Sequence, residues 1–351
     1  MQSDLISVVI PTYNRADCIC NAIDSVRAQS YGNWEILVVD DGSTDSTPEL
    51  IQSRYGHDTR IRYMRQANAG VSNARNTGIA HVTGNLVAFL DSDDRWKPWK
   101  LGLQLAFLQA RPEVGMVWTD MEAVNSRREI LDARHLRTMY SAYRYFQIDD
   151  LFESSEDVGS FAPFYPEPQA KAYRGDIYAS MILGSLVHTS TVLIRKERLD
   201  RVGGFSEDLL LSGEDYDFHL RTCKWGSVGL IDVASIEYTK GRSDHLSDNS
   251  TANAVNFLVT VERAIEDDRL AQRFPADRIR QVLAHAHGWV AEEHFKAGNG
   301  ASARRQALRS LRFQPIQPRL IALAALSSIP SRVKRELMAR YRQLKKKSPK
   351  R

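Results

Sequence analysis

Long apolar runs are missing from this 351-residue chain. The longest candidate, Leu320 to Ile329, is about half the length of the roughly 20 residues that a membrane-spanning helix needs. The opening residues MQSDLISVVIPTYN contain no basic region followed by a long apolar stretch, so they are not predicted to be a signal peptide. The sequence therefore predicts a cytoplasmic protein and leaves open a peripheral contact with the inner face of the cell membrane.

Cysteine is also scarce. The three cysteines, Cys18, Cys20 and Cys223, are odd in number, and the first two are too close together for a metal pair of the usual spacing. We expect them to be reduced and to pack within helices. Apolar residues make up 43% of the chain and charged residues 26%, which is typical of a globular protein and excludes disorder of the whole chain.

Positive charge is concentrated at one end of the chain. The net charge is only +4, yet residues 332–351 contain ten Lys or Arg against one Glu. Such a tail is consistent with contact with nucleic acid or an anionic membrane, and it is at least as consistent with a solvated, frayed terminus. A nucleic-acid-binding protein would instead interleave basic and aromatic residues on a folded face, so nucleic acid is not a predicted partner.

The apolar pattern of the first third of the chain predicts an α/β fold. Short apolar runs alternate with stretches of helical periodicity, which implies βαβ units and a largely parallel sheet. Polar clusters follow three of the runs, at residues 12–15, 40–45 and 91–94. In parallel sheets ligands bind at the carboxyl ends of the strands, so these clusters are candidate ligand-binding loops. The predicted strands are Ile6–Ile10, Trp34–Val39, Ile61–Met64, Leu86–Leu90, Val114–Trp118 and Thr191–Ile194.

The cluster with the most information is Asp91-Ser92-Asp93-Asp94, directly after the apolar run Val87–Leu90. Three carboxylates at one strand end repel one another unless a positive group lies among them. Hard cations such as Mg²⁺ and Mn²⁺ prefer oxygen ligands and bridge to phosphate, so this turn suits a diphosphate held through a metal. On its own, the turn is equally consistent with a solvated acidic cap of the next helix.

Five segments together resemble the ordered motif set of the family 2 glycosyltransferases, which have the GT-A fold. The resemblance covers about residues 5–245. It implies a GT-A (Rossmann-like) mixed, mostly parallel sheet flanked by helices, followed here by a C-terminal all-helical appendage. The segments are VVIPTYNR (Val8–Arg15), VVDDGSTD (Val38–Asp45), NAGVSNARNTGI (Asn68–Ile79), FLDSDD (Phe89–Asp94) and GGFSEDLLLSGEDYDFHLR (Gly203–Arg221).

The resemblance implies an inverting transfer of a sugar from a nucleotide donor, usually UDP-linked, with divalent Mn²⁺ or Mg²⁺ as cofactor. Asp91 and Asp93 would form the D-x-D motif, with Asp93 as the direct metal ligand. Asp215 would be the catalytic base, and Glu214 its neighbour in the acceptor pocket. The positions implied to bind the nucleotide sugar are Pro11, Thr12, Asn14, Asp41 (at the base), Arg75 and Asn76 (at the ribose and diphosphate), Asp91 and Ser92.

The Glu214-Asp215 pair has two interpretations. An inverting displacement needs one general base to accept the proton of the acceptor hydroxyl, and a carboxylate can do this. A carboxylate at the start of a helix is also stabilised as an anion, so without the resemblance a simple helix cap is favoured.

Two histidines are less certain candidates. His245 lies where related enzymes often place a histidine near the metal, although a surface role is equally expected. His188 lies at the edge of a long polar segment, residues 127–184, and is expected to pack rather than to face the acceptor. Acceptor specificity is expected to reside in that segment, since it departs from the family pattern.

The resemblance and the periodicity together predict the domain organisation. Residues 1–245 form the glycosyltransferase domain, with a nucleotide-sugar half (about 1–115) and an acceptor half (116–245). Residues 246–330 form a helical region with one hairpin of the tetratricopeptide type, and 331–351 the basic tail.

The predicted partners are a UDP-sugar donor and a glycan or lipid-linked acceptor, in bacterial-type surface polysaccharide synthesis. The main alternative is a non-catalytic nucleotide-sugar-binding scaffold that recruits partners through its helical C-terminus. A nucleotidyltransferase would need a glycine-rich phosphate loop after the first strand, where this chain has Pro11-Thr12-Tyr13-Asn14-Arg15.

Overall fold

The computed structural model describes residues 4–241, 249–266 and 274–328. These residues belong to two compact units, Met1–Leu246 and Ser247–Arg351, which are described one after the other.

The N-terminal part of the first unit is a parallel sheet with helices between its strands. Its four strands have the order β3-β2-β1-β4, and every residue of β1 and β2 is buried, as expected for strands covered on both faces. The strands are β1 (Ile6–Thr12), β2 (Trp34–Asp40), β3 (Ile61–Arg65) and β4 (Leu86–Phe89), and the helices are α1 (Ile19–Arg27), α2 (Thr47–Tyr55) and α3 (Val71–His81).

The remainder of the first unit extends this sheet with mixed pairing. The further strands are β5 (Arg95–Trp96), β6 (Met116–Val124), β7 (Ile130–Asp132), β8 (Ser154–Asp157), β9 (Lys171–Gly175), β10 (Leu193–Arg195) and β11 (Val228–Thr239). The further helices are α4 (Lys100–Ala110), α5 (His135–Met139), α6 (Ile148–Leu151), α7 (Tyr178–Met181), α8 (Lys196–Val202) and α9 (Glu214–Cys223).

Strand β10 joins the two parts of the sheet, because it pairs antiparallel with both β4 and β6. The full order is β3-β2-β1-β4-β10-β6-β11-β9-β8, with β6 and β11 parallel to each other. This mixed sheet with flanking helices confirms the predicted fold class. It also places the ends of β1, β2 and β4 beside one another.

Two predicted strands have different bounds in the structure. Strand β6 starts at Met116 and runs to Val124, well past the predicted end at Trp118. The strand predicted over Thr191–Ile194 is wrong at its start, because Thr189–Thr191 forms a 3₁₀ turn and β10 begins at Leu193. The turn exists because the backbone NH and the hydroxyl of Thr191 both donate to the His188 carbonyl, at 2.9 and 2.6 Å.

The second unit contains only helices among its described residues. They are α10 (Ser250–Ile265), α11 (Ala276–Lys296), α12 (Gly300–Phe313) and α13 (Pro318–Ser327). Helices α11 and α12 form a hairpin across a three-residue connection, residues 297–299. Small residues allow close packing here: Ala291, Ala303 and Ala307 form a buried cluster with Leu320, Leu323 and Ala324 of α13. Within the described residues, none of the helices combines the length and the apolar character needed to cross a bilayer.

Candidate active site

Asp41 lies at the carboxyl end of β2 and is 4% exposed. Its carboxylate accepts hydrogen bonds from the backbone NH groups of Ala69 and Gly70, at 2.9 and 2.8 Å, and from the Gln66 amide at 2.8 Å. The side chain therefore fixes the loop that leads into α3. A carboxylate has about four acceptor positions, so Asp41 retains capacity for one donor from a ligand.

Two asparagines predicted to bind the nucleotide sugar hold loops together in the structure. The Asn14 side-chain oxygen accepts from the backbone NH groups of Thr44 and Asp45, at 2.8 and 3.3 Å, and so ties the loop after β1 to the loop after β2. The Asn76 amide donates to the Phe205 carbonyl at 2.9 Å and accepts from the Phe205 NH at 2.7 Å. Both side chains shape the site through these bonds.

The other small residues predicted to bind the nucleotide sugar are buried near the strand ends. Pro11 pairs with Val39 inside the sheet, and Ser92 lies within the acidic turn after β4. Thr12 ends β1, and its hydroxyl oxygen is buried with no hydrogen-bond partner among the residues that the structure describes. Buried hydroxyls normally have a partner, so this oxygen is a polar atom that the described part of the protein leaves unsatisfied.

Arg75 connects the two acidic motifs. Its guanidinium, on α3, donates to Asp91 at 2.8 Å and to Glu214 at 2.7 Å, and it lies over the Phe205 ring at 5.0 Å from the ring centre. Arg75 is 4% exposed. Arg75 and Glu214 are 139 positions apart in the sequence. The Arg75 guanidinium therefore joins the D-x-D turn and the start of α9 in a single site.

The two ion pairs of Arg75, with Asp91 and Glu214, are called the Arg75 bridge below. This bridge keeps the Asp91 carboxyl negatively charged. Burial alone would raise the pKa of the Asp91 carboxyl, but the Arg75 guanidinium beside it holds that pKa below its ordinary value. Burial similarly opposes the charge of Arg75, and Asp91 and Glu214 together raise its pKa above the ordinary value. Each of these charges is stabilised by its partner, so loss of one would leave the others uncompensated.

Asp215 lies in the first turn of α9. The helix is preceded by Gly213 with φ of 86°, a left-handed conformation that glycine adopts without strain. Burial raises the pKa of Asp215 to about 7, and the neighbouring Glu214 charge adds to the increase. A carboxyl with a pKa near neutrality is well matched to accepting a proton at physiological pH.

Tyr140 is a site residue that the sequence reasoning missed. It follows α5 within the polar segment 127–184 and is partly buried. Burial raises the pKa of the Tyr140 phenol well above its ordinary value, and the negative charges of Asp215 and Asp91 contribute. The phenol is therefore within electrostatic range of both acidic motifs. Only the position of Tyr140 in an aperiodic segment could have pointed to it.

Asp91, Asp94 and His188 could together hold a metal ion. One ligand atom from each lies within 4.8 Å of the others. Asp94 is 2% exposed and His188 9% exposed, and neither Asp94 Oδ2 nor His188 Nδ1 has a hydrogen-bond partner within the described residues. Burial raises the pKa of Asp94 well above its usual range and lowers that of His188 to about 4. A divalent cation could accept one ligand atom from each of the three residues, so the donor set fits such an ion.

Asp93, the predicted direct metal ligand, is not part of this group of ligand atoms. Asp93 is partly buried in the same turn, and its backbone carbonyl accepts a hydrogen bond from Thr239 Oγ1 at 3.2 Å. His245 lies outside the described residues. Both therefore remain predictions from the resemblance.

Comparisons with known proteins agree with the architecture. The family model described as "Glycosyl transferase family 2" matches residues 7–164. A glycosyltransferase of Rickettsia felis is 40% identical over 130 residues, which is 37% of this chain and 21% of that protein. The Escherichia coli protein "UDP-Glc:alpha-D-GlcNAc-diphosphoundecaprenol beta-1,3-glucosyltransferase WfgD" is 35% identical over 127 residues, covering 36% of this chain and 49% of WfgD.

Among solved structures, S. aureus TarS residues 1–349 in complex with UDP-GlcNAc superpose with a TM-score of 0.56 at 19% identity, covering 92% of this chain and 84% of that one. At this identity the likeness concerns the fold. The chain spans about a fifth of the length of the Rickettsia felis relative and about half of WfgD.

Proposed function

We propose that this chain, whose residues 7–164 belong to glycosyl transferase family 2, transfers a sugar from a nucleotide-linked donor to a hydroxyl acceptor with inversion at the anomeric carbon. The observation that carries the proposal is the Arg75 bridge. One buried guanidinium binds both Asp91 of the D-x-D turn and Glu214 beside Asp215. A donor diphosphate at the turn and an acceptor hydroxyl at Asp215 would therefore meet in one site.

We infer that the donor is a UDP-sugar. The TarS structure of the same fold was determined with UDP-GlcNAc, and the name of WfgD specifies UDP-Glc. In this chain, Asp41 and Thr12 have hydrogen-bonding capacity that the protein itself does not use fully. The carboxylate of Asp41 suits an N–H donor such as that of uracil.

The proposed reaction is a single displacement. Asp215 accepts the proton of the acceptor hydroxyl while the hydroxyl oxygen forms a bond to the anomeric carbon. The bond from that carbon to the diphosphate oxygen breaks on the opposite face, and the nucleoside diphosphate leaves. A divalent cation, held by the acidic turn with Asp91 among its ligands, would offset negative charge on the departing diphosphate.

Asp215 is better suited to this role than Glu214. The Glu214 carboxylate is 9% exposed and is bonded to Arg75 at 2.7 Å. A carboxylate that neutralises a buried guanidinium is a weaker proton acceptor, because protonating it would remove one of the two negative charges that compensate the guanidinium. Glu214 is therefore assigned to positioning Arg75 and to raising the pKa of Asp215.

For the acceptor we propose a glycan or lipid-linked glycan used in surface polysaccharide synthesis. The name of WfgD includes a diphosphoundecaprenol acceptor, although this chain covers only 49% of that protein. The polar segment 127–184 brings Tyr140 to the site and also lines a cleft of about 330 Å³. Aromatic and charged side chains in this cleft, including Tyr143, Phe146 and Arg144, have the mixed character typical of carbohydrate binding.

The test is release of nucleoside diphosphate from a panel of UDP- and GDP-sugars, with Mn²⁺, Mg²⁺ or EDTA and a set of glycan acceptors. We expect metal-dependent turnover of one UDP-sugar, with the anomeric configuration of the product inverted when observed by NMR. A donor that binds without turnover under any condition would favour a non-catalytic scaffold. A retained configuration would exclude the single displacement.

A further inference from the structure

His188 lies beside the acidic turn that follows β4. The segment that carries it is anchored to the turn, because Ser190 Oγ accepts a hydrogen bond from the Asp91 backbone NH at 3.0 Å. The imidazole packs edge-on against Tyr238, with ring centres 5.7 Å apart. These contacts hold the ring in one place and leave Nδ1 without a hydrogen-bond partner among the described residues.

A comparison with His219 shows what distinguishes His188. His219 is fully buried, hydrogen-bonds Thr189 through Nε2 at 3.2 Å and packs against Phe218, and its Nδ1, like that of His188, has no hydrogen-bond partner among the described residues. It is not part of the group of ligand atoms formed by Asp91, Asp94 and His188. His219 therefore represents a packing histidine in the same region, whereas His188 lies within 4.8 Å of two carboxylates, one of which is itself buried with an unpartnered oxygen.

We propose that His188 is a nitrogen ligand of the divalent cation, in a set with Asp91 and Asp94, and that it makes the site select a first-row transition ion such as Mn²⁺ over Mg²⁺. Mg²⁺ prefers oxygen ligands and a near-ideal octahedral shell, whereas imidazole is a common ligand of transition metals. A mixed set of two carboxylates and one imidazole therefore discriminates between the two ions, as an all-carboxylate turn would not.

This inference rests on the proposed function in one respect, namely that the enzyme uses a divalent cation. Its test measures binding of the cation and does not measure turnover of a sugar donor. Mn²⁺ is titrated into the EDTA-treated full-length protein, and free Mn²⁺ is followed by electron paramagnetic resonance. Mg²⁺ affinity is measured by competition. His188→Gln removes the imidazole at similar volume, and His219→Gln is the matched control.

We expect His188→Gln to weaken Mn²⁺ binding by about tenfold or more and Mg²⁺ binding much less, while His219→Gln leaves both unchanged. The proposal would be overturned if His188→Gln weakened the binding of Mn²⁺ and Mg²⁺ equally, or if it did not weaken Mn²⁺ binding at all. Thermal melting of each variant checks that the fold is retained.

A second measurement does not depend on the variant folding well. Electron spin-echo modulation of Mn²⁺ bound to the wild-type protein should show coupling to a directly bound nitrogen. Absence of that coupling would overturn the proposal. So would a coupling that persists unchanged in a folded His188→Gln protein, because the nitrogen would then come from elsewhere, with His245 the first alternative. Neither experiment requires sugar transfer. A protein that binds Mn²⁺ through His188 but transfers no sugar would therefore contradict the proposed function and leave this inference intact.

Discussion

Arg75 is the residue on which the geometry of the site most depends. It is buried, and its two carboxylate partners come from two different motifs, Phe89–Asp94 and Gly203–Arg221. Removing one member of a buried ion network is costly, because the remaining charges lose their compensation without regaining water.

Arg75→Met should therefore lower the free energy of unfolding by about 3 kcal/mol. The matched control is Arg62→Met. Arg62 is 39% exposed and pairs with Glu35 at 3.4 Å, so its loss should cost less than about 1 kcal/mol. Urea unfolding followed by tryptophan fluorescence measures both. Equal destabilisation by the two substitutions would mean that the Arg75 bridge contributes no more than a surface pair.

The pH dependence of turnover should report on Asp215. Burial and the Glu214 charge raise its pKa to about 7. Below that pH the carboxyl is protonated and cannot accept the acceptor proton, so kcat/KM should rise with pH to a plateau, with its midpoint near 7.

Glu214→Gln removes a nearby negative charge and should move this midpoint to lower pH. Glu113→Gln removes a carboxylate that pairs with Arg174 at the surface and should leave the midpoint in place. A midpoint that does not move in Glu214→Gln, or a profile that falls as the pH rises through 7, would argue against Asp215 as the base.

At the residue scale, the sequence predicted well which residues lie near one another at the site. It predicted the role of each residue less well. Asp91, Glu214 and Asp215 come together as the motif set implies, although their roles remain proposals. Asn14 and Asn76 bind loops. The sequence could not show this, since an amide that holds a backbone loop and one that holds a ligand have the same chemistry. Tyr140 was missed because no periodicity marks its segment.

At the scale of elements, the packing of α3 on β1 positions Arg75. Helix α3 approaches β1 closely at Gly78, where an added Cβ atom would come within 2.3 Å of Val9 Cγ1. In contrast, a Cβ atom at Gly102 of α4 would meet Ser30 Oγ at 3.5 Å, which is an ordinary contact.

Gly78→Ala should destabilise the protein by about 1–3 kcal/mol, because α3 must move away from the sheet. Gly102→Ala should stabilise it by up to about 1 kcal/mol, since alanine is the better helix former. Thermal or urea unfolding measures the difference between two helix glycines that the sequence does not distinguish. If the two substitutions had the same sign, the close approach at Gly78 would not be the determinant.

The elements of the N-terminal sheet were predictable because their apolar runs are long and their periods clear. Strands β2 and β3, for example, agree with prediction to within one residue. The short elements between β6 and β10 were not predictable. Elements of three to five residues such as β7 and α5 contain too few positions to show a period, and they depend on tertiary contacts.

At the scale of the whole molecule, charge placement predicts an additional interaction. The basic residues at 332–351 lie outside the described part of the chain, so the prediction rests on sequence alone. Deleting Lys334–Arg351 should reduce binding to vesicles that contain phosphatidylglycerol, with the loss largest at low salt. Sedimentation with neutral phosphatidylcholine vesicles is the control. Unchanged binding to the anionic vesicles would remove the case for membrane contact through the tail.

The sequence predicted the secondary structure and fold of the first unit more completely than those of the second unit. The motif set covers about residues 5–245 and predicted the fold class of the first unit. In the second unit, the α11–α12 hairpin was visible in the helical periodicity. Helix α13 lies within the region 246–330 that was predicted to be helical, but its bounds were not predicted. Several side chains of α13 are exposed, including Ile321 and Leu326, so its pattern does not separate one buried face clearly.

The central claim is that Asp215 is the base of a sugar transfer, and one comparison tests it most directly. Turnover of the best UDP-sugar with its acceptor, and the dissociation constant of that donor, are measured for the wild type and for Asp215→Asn. The account predicts that Asp215→Asn lowers kcat by about 10²–10⁴-fold and leaves donor affinity within a small factor. An Asp215→Asn enzyme that retains wild-type kcat would contradict the account.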